Sequence, residues 1–250
     1  MTPLTAEILK LRRRRGLMLW SALLTIGSVV VAYSVMLALH ASNPAHHGPA
    51  GGVDNLQHLM WLLANLGGVA AILIGTTAGS QDMAAGVFRD LVVTGRPRRA
   101  LFRVRAPGAL AVYLPMLAAG FALAVAGSFA FAGGSATPSL HQVVHYGIAV
   151  AALDVVTLAV AVGLAPLLPA RIATGILVGW NGFLAPLLAG IASLGVVRAG
   201  FDVTAAMHFA PDVAGKQNVA MSTGAAIVVL ALWVGVSQRL GEFWTRRADA

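Results

Sequence analysis

The chain has no cysteine. Disulfide frameworks, thiolate metal sites and cysteine nucleophiles are therefore excluded. Charge is nearly as scarce: 10% of the 250 residues are Asp, Glu, Lys or Arg, against about a quarter in a soluble domain. Lysine occurs only at Lys10 and Lys216. Neither completes G-x-x-x-x-G-K-[ST], in which backbone amides cradle phosphate and the Lys reaches the terminal groups. Lys216 follows Gly215 but precedes Gln217, with Ala210 where the first Gly belongs. No H-E-x-x-H occurs, and Asp154 has no second carboxylate at similar depth, which removes the usual arrangements for zinc or aspartyl proteolysis in a membrane. What fills the chain is apolar, at 58% hydrophobic residues with a mean hydropathy of +0.81.

A bilayer core requires roughly 20 apolar residues from a helix rising about 1.5 Å per residue. Six segments approach or exceed that length, near Leu17 to Leu39, Leu56 to Gly79, Pro107 to Ala132, Val143 to Pro166, Ile172 to Val197 and Val219 to Val236. They lack the alternation of a barrel strand, so each is expected to satisfy its backbone groups as a helix. The first is too long for the apolar region of a signal peptide, and no small-residue cleavage site follows it. The expectation is one all-α membrane domain over residues 1–250, with a cytoplasmic elbow at 1–16, a basic loop at 80–106, an external segment at 198–218 and a tail at 237–250.

Basic residues set the expected orientation. Fifteen of the 17 fall on one side of a six-span arrangement, and only Arg198 and Lys216 fall on the other. By the positive-inside rule both termini are cytoplasmic. The sequence pI of about 11.3 then reflects topology; nucleic acid, which would require one coherent basic face, is not an expected partner. The scarcity of lysine relative to arginine suggests a GC-rich genome, and a bacterial cell membrane is the expected location. Trp20 and Trp233 are expected near cytoplasmic span ends, Trp61 and Tyr146 near external ones.

The first external loop, HASNPAHHGPAGGVDN, reads as a flexible connector and GGSATPSL as a short turn. In the last external segment, FDVTAAMHFAPDV suggests one or two short turns lying at the membrane surface. All seven histidines fall on the external side, but their spacings match no ligand pattern, and no metal site is expected. Inside the spans, Asn65, Asp154, Trp180 and Asn181 are the candidates for a translocation pathway. Asp154 reads either as a cation- or proton-sensitive group or as a structural carboxyl bonded to Asn65 or Asn181. Trp180 reads either as packing or as a cavity wall. Pro115 and Pro186 are expected to kink the third and fifth spans.

The basic loop carries a pattern of its own. In DMAAGVFRDLVV, the residues Met83, Val87, Phe88, Leu91 and Val92 recur on one helical face, away from Gln81, Arg89 and Asp90. Thr94, Gly95 and the Arg96-Pro97 step end that helix, and a second helical piece leads toward Pro107. The bland reading is a basic elbow on anionic headgroups; the sharper is a surface on which a cytoplasmic partner pushes.

AEILKLRRRRGLMLW at Ala6 to Trp20 and AGSQDMAAGVFRDLVVTGRPRRALFRVR after the second span resemble the type-2 permease family of ATP-binding-cassette transporters. Gly86 and Val87 fill the family's Gly-Thr place, Leu91 and Val92 its apolar turn, Arg98 and Arg99 its basic pair, and Gln81 with Asp82 the place where Glu is common. The resemblance implies six transmembrane helices, an N-terminal amphipathic elbow, and a cytoplasmic coupling helix between spans two and three built from Gln81, Asp82, Gly86, Val87, Phe88, Arg89, Leu91, Val92, Arg98 and Arg99. It also implies two copies of a separate ATPase subunit, which would hold ATP and magnesium, and a second permease copy or paralogue. This chain itself is expected to bind no cofactor and to catalyse nothing. Export of a hydrophobic or amphipathic compound is the expected function. The alternatives are a non-transporting membrane scaffold or assembly factor and, less favoured, an intramembrane enzyme.

Overall fold

The computed structural model describes residues 2–84, 86, 97–210, 213 and 219–247; at residues 83 and 84 only the backbone is described. Among these residues there is no strand, and six helices are long and apolar enough to cross a membrane. The protein is a multi-pass membrane protein. A short helix α1 (Pro3–Arg12) precedes the first span α2 (Arg15–Ser42), followed by α3 (Val53–Ala84). Next come α4 (Arg98–Arg103) and α5 (Arg105–Ala130), which together make the third span, and α6 (Leu140–Leu164). The fifth span is α7 (Ala170–Gly190), then a short helix α8 (Asp202–Met207) and the last span α9 (Thr223–Arg247).

The centre of the bundle is α3 against α6, and its geometry follows from small residues. Gly67, Ala71, Gly75 and Gly79 recur every four residues or a multiple of four along α3 and form one stripe. A Cβ at Gly75 would stand 2.7 Å from both the Ala161 Cβ and the Leu158 carbonyl oxygen, and one at Gly79 would stand 2.6 Å from the Val162 carbonyl oxygen. Only glycine lets the two backbones approach this closely. The same device seats α2 on α5, where Gly120 faces the Thr25 carbonyl and Gly127 the Tyr33 ring, whose hydroxyl donates to the Ala124 carbonyl. It also seats α9 on α6, where Gly163 lies against Ser237 and Gly241 against Gly163.

Span ends differ from those read off hydropathy. The last helix begins at Thr223 and runs through Arg247, because its polar final turns find partners: Gln238 Nε2 donates to the Ala159 carbonyl at 2.6 Å and Glu242 pairs with Arg99. Trp233 therefore sits well inside this helix and not at a span end, with its indole N–H on the Gly200 carbonyl at 2.9 Å. The fifth span stops at Gly190, short of Val197; Ile191 is extended and Gly195 takes φ +53° within the tight turns of Ala192–Gly200. A π-turn at Trp180–Leu184 stands immediately before Pro186, placing the missing N–H of that proline where the helical ladder is already interrupted. Around Pro115 the helix stays unbroken.

The two connections at the end opposite the basic loop are joined. Gly51 N–H bonds the Phe131 carbonyl at 2.8 Å, Gly52 N–H the Ser128 carbonyl at 2.8 Å and Val53 N–H the Ala136 carbonyl at 2.9 Å. A flexible first loop is thus replaced by a hydrogen-bonded one, because glycines here allow backbone to lie on backbone; Gly52 takes φ +92° and a Cβ at Gly51 would overlap the backbone of Phe131 and Ala132.

Candidate functional site

Polar groups gather in three layers. At the basic end, Lys10 Nζ lies 2.6 Å from Glu7 Oε2 and 3.0 Å from Asp82 Oδ1. Arg105, with no exposed surface, sets Nη2 3.4 Å from Asp82 Oδ2 and donates from Nη1 to the Gly79 carbonyl at 2.7 Å. One carboxylate thus ties α1, the last turn of α3 and the first turn of α5. Gly108 makes room for α1, since a Cβ there would be 2.6 Å from Glu7 Cγ. Burial pushes the Glu7 carboxyl up from its usual range, against the opposing pull of Lys10.

This changes the position of the acidic pair within the expected coupling element. Helix α3 continues through Ala84, past the expected span end at Gly79, so Gln81 and Asp82 belong to the span and Asp82 is turned inward, paired with two cations. Gly86, at φ +70°, follows that helix end. Val87, Phe88, Arg89, Leu91 and Val92 lie outside the described residues. Beyond them, Arg99 Nε meets Glu242 at 2.7 Å and Arg98 Nη1 meets the Arg246 carbonyl at 3.0 Å. The basic pair thus contacts the last helix.

In mid-bundle, Asp154 has no exposed surface and accepts from the Tyr113 hydroxyl at 2.6 Å; the same hydroxyl lies 3.0 Å from the Gly67 carbonyl. Gly67 is required here as well, because a Cβ would stand 2.7 Å from Asp154 Oδ2. The partner of Asp154 is therefore Tyr113, not Asn65 or Asn181. Asn65 bonds the Trp61 carbonyl on its own helix at 2.8 Å, and Asn181 accepts from Thr157 at 3.2 Å. Asn65 and Asn181 share a cavity of about 20 Å³ with Leu153 and Met207, room for about one water. Trp180 stands beside them, against Phe201 and Trp233, with its indole N–H 3.4 Å from Asp202. The four pathway candidates thus fall into a buried Asp154–Tyr113 pair, a small asparagine cavity and an aromatic cluster.

At the third layer, α8 departs from the expected surface turns. Every residue from Asp202 to Met207 is buried, and the helix packs on α6, α9 and α7. The apolar side chains of Val203 and Met207 explain this, since they close the asparagine cavity from that end. Burial pushes the Asp202 carboxyl up, opposed by the Val203 N–H and the Trp180 indole. His145 Nδ1 lies 3.1 Å from the Phe209 carbonyl, and His141 stacks on His145 with ring centroids 4.1 Å apart. His46 and His47 line a separate cavity beside the joined loops.

Lys10, Arg105 and Tyr113 were not singled out from sequence. The available signals were weak: a lone lysine among arginines, an arginine two residues before a span proline, and a tyrosine within an apolar run. Compared with known proteins, the chain matches no family model and no curated protein.

Proposed function

We propose that this chain is the permease subunit of an ATP-binding-cassette transporter of the type-2 kind, exporting a hydrophobic or amphipathic compound and driven by a separate ATPase. The observation that carries the reading is the clamp made by Asp82, Arg105 and Lys10. Asp82 in the last turn of α3 and Arg105 in the first turn of α5, on either side of residues 85–96 in sequence, are tied together, with α1 fastened to the same carboxylate by Lys10. A push on such a segment is delivered to three helices together, whereas a loop on loose ends would absorb it. In this reading the clamp faces the cytoplasm, α1 is the elbow, and the coupling surface spans Gly86 to Arg99. ATP and magnesium sit on two partner ATPase subunits. Their closure shifts α3 and α5 and biases a two-state cavity between this chain and a second permease, a copy or a paralogue. The cavity at Asn65 and Asn181 is too small for such a substrate, which favours a pathway formed between subunits.

The test is co-expression with a Walker-type ATPase encoded beside this chain. Replacing Val87 and Leu91 by Ser is expected to release the ATPase on purification, or to abolish substrate-stimulated hydrolysis, with the spans still inserted. Unchanged co-purification and unchanged stimulation would leave the segment a membrane-surface elbow and remove the coupling assignment.

A further inference from the structure

A groove runs along the line where α6 meets α9 on the outside of the bundle. Its walls are Val160 and Leu164 from α6 and Leu232, Trp233, Val236, Ser237 and Leu240 from α9, enclosing about 370 Å³. From Leu232 to Leu240 it follows the helix for about 12 Å. Leu240 also lines a second cavity of about 440 Å³, toward the basic end, with Arg239, Glu242, Phe243 and Arg246. The apolar groove therefore opens into a charged mouth.

The charges in that mouth are unbalanced. Glu242 is already engaged by Arg99, Arg103 and Arg246. Arg239 is exposed and has no hydrogen bond or ion pair among the described residues. Phe243 and Trp244, one turn further on, are half exposed; Trp244 is the kind of amphipathic ring found at headgroup depth. An apolar protein surface laid over the groove would strip water from Arg239 and leave it unpaired, a costly arrangement. A hydrocarbon chain carrying an anionic group at one end satisfies both parts at once.

We propose that this groove holds one anionic phospholipid, with an acyl chain along Leu232, Val236 and Leu240 and its phosphate at Arg239. The site depends on membrane insertion alone and stands whether or not the chain is a transporter subunit. One arginine near a membrane surface favours an anionic over a zwitterionic headgroup by about fivefold.

The full chain, purified in a neutral detergent and stripped of lipid, is titrated with phosphatidylglycerol, phosphatidylcholine or inorganic phosphate, with lipid retention read by native mass spectrometry and stabilisation by thermal melting. Phosphatidylglycerol is expected to be retained about fivefold better than phosphatidylcholine and to raise the melting temperature more. Arg239→Gln should erase the preference and Arg239→Lys keep it. Val236→Trp, which fills the groove, should lose retention of both lipids. Both positions are exposed, so melting without lipid should not change. Equal retention of the two lipids by the native chain, a preference surviving Arg239→Gln, retention surviving Val236→Trp, or equal stabilisation by inorganic phosphate would each overturn the site. Loss of a dimer in Val236→Trp with lipid retention intact would assign the groove to a second copy instead.

Discussion

In the most apolar windows of α3 and the fourth span, 67% and 72% of residues are buried, whereas α2, α7 and α9 bury 17%, 22% and 22%. The two groups use different side chains. The central helices meet through glycine and alanine and enclose Asp154 and Tyr113; the outer ones turn Phe183, Leu187, Ile227 and Leu232 outward. Lipid tails are as apolar as leucine, so large apolar side chains gain little by turning inward, and close backbone packing with satisfied polar groups holds the centre. The centre is consequently intolerant of added volume and of charge loss, while the outer face has room for lipid or a partner.

The same contrast holds for ion pairs at the basic end, and there the largest effect is expected. Asp82 lies between Lys10 and a fully buried Arg105, whereas Glu242 is met by arginines about half exposed. Removing one member of a buried pair leaves an uncompensated charge and costs about 3–5 kcal/mol. Glu242 is as buried as Asp82, but Arg99 is about half exposed and Arg103 and Arg246 remain on the carboxylate without it, so the loss of Arg99 costs about 0–1 kcal/mol. Asp82→Ala should therefore lower thermal stability in detergent far more than Arg99→Gln. Equal shifts in melting temperature would show that the Asp82 cluster is hydrated and that the comparison fails at this end.

A substitution pair tests packing. Gly75→Leu would drive a side chain into Ala161 and the Leu158 carbonyl, while nothing lies within 4 Å of a Cβ at Gly175. Overpacking a close contact costs about 1–3 kcal/mol. Gly175→Leu on α7 should leave melting and monodispersity unchanged while Gly75→Leu degrades both. A harmful Gly175→Leu would instead place a protein partner on the outer face of α7.

Hydropathy and charge made the class and the six spans legible, because a chain in hydrocarbon has few ways to satisfy its backbone. They did not reveal which spans are central: α2 is more apolar than α3, with mean hydropathies of 2.2 and 1.8, yet far less buried, and what marks α3 is a four-residue spacing of small residues that hydropathy averages away. Helix ends were misplaced wherever polar residues found partners in the fold, as Gln238 and Glu242 do in α9 and Asp82 does in α3. The burial of α8 was hidden for another reason. The uneven spacing of Phe201, Ala205, Met207, His208 and Phe209 gave the segment the look of surface turns, while its seat is formed jointly by α6, α7 and α9. Asp154 was visible as an anomaly, but its partner was not, since Tyr113 comes from a different span.

The smallest expected effect is a pH dependence confined to the edge of the clamp. Glu7 is buried where α1 meets Gly108, and burial raises its carboxyl above the usual value of about 4.5 more strongly than Lys10 lowers it. A raised folded-state value means that the docked helix holds the Glu7 proton more tightly than the undocked one. The contribution to docking is thus complete below about pH 4.5 and is lost as pH rises through the raised folded value. Because the chain has no cysteine, a single Thr5→Cys label on the exposed face of α1 reports docking by fluorescence anisotropy without background labelling. Anisotropy should fall modestly as pH rises above 4.5, and Glu7→Gln, neutral at every pH, should flatten the curve at its high end. Asp82→Ala should lower the whole curve, since Lys10 then loses its inter-helix anchor. A curve of the opposite slope, or one unchanged by Glu7→Gln, would mean that the proton is held by another group and that α1 is fixed by Lys10 and Asp82 alone.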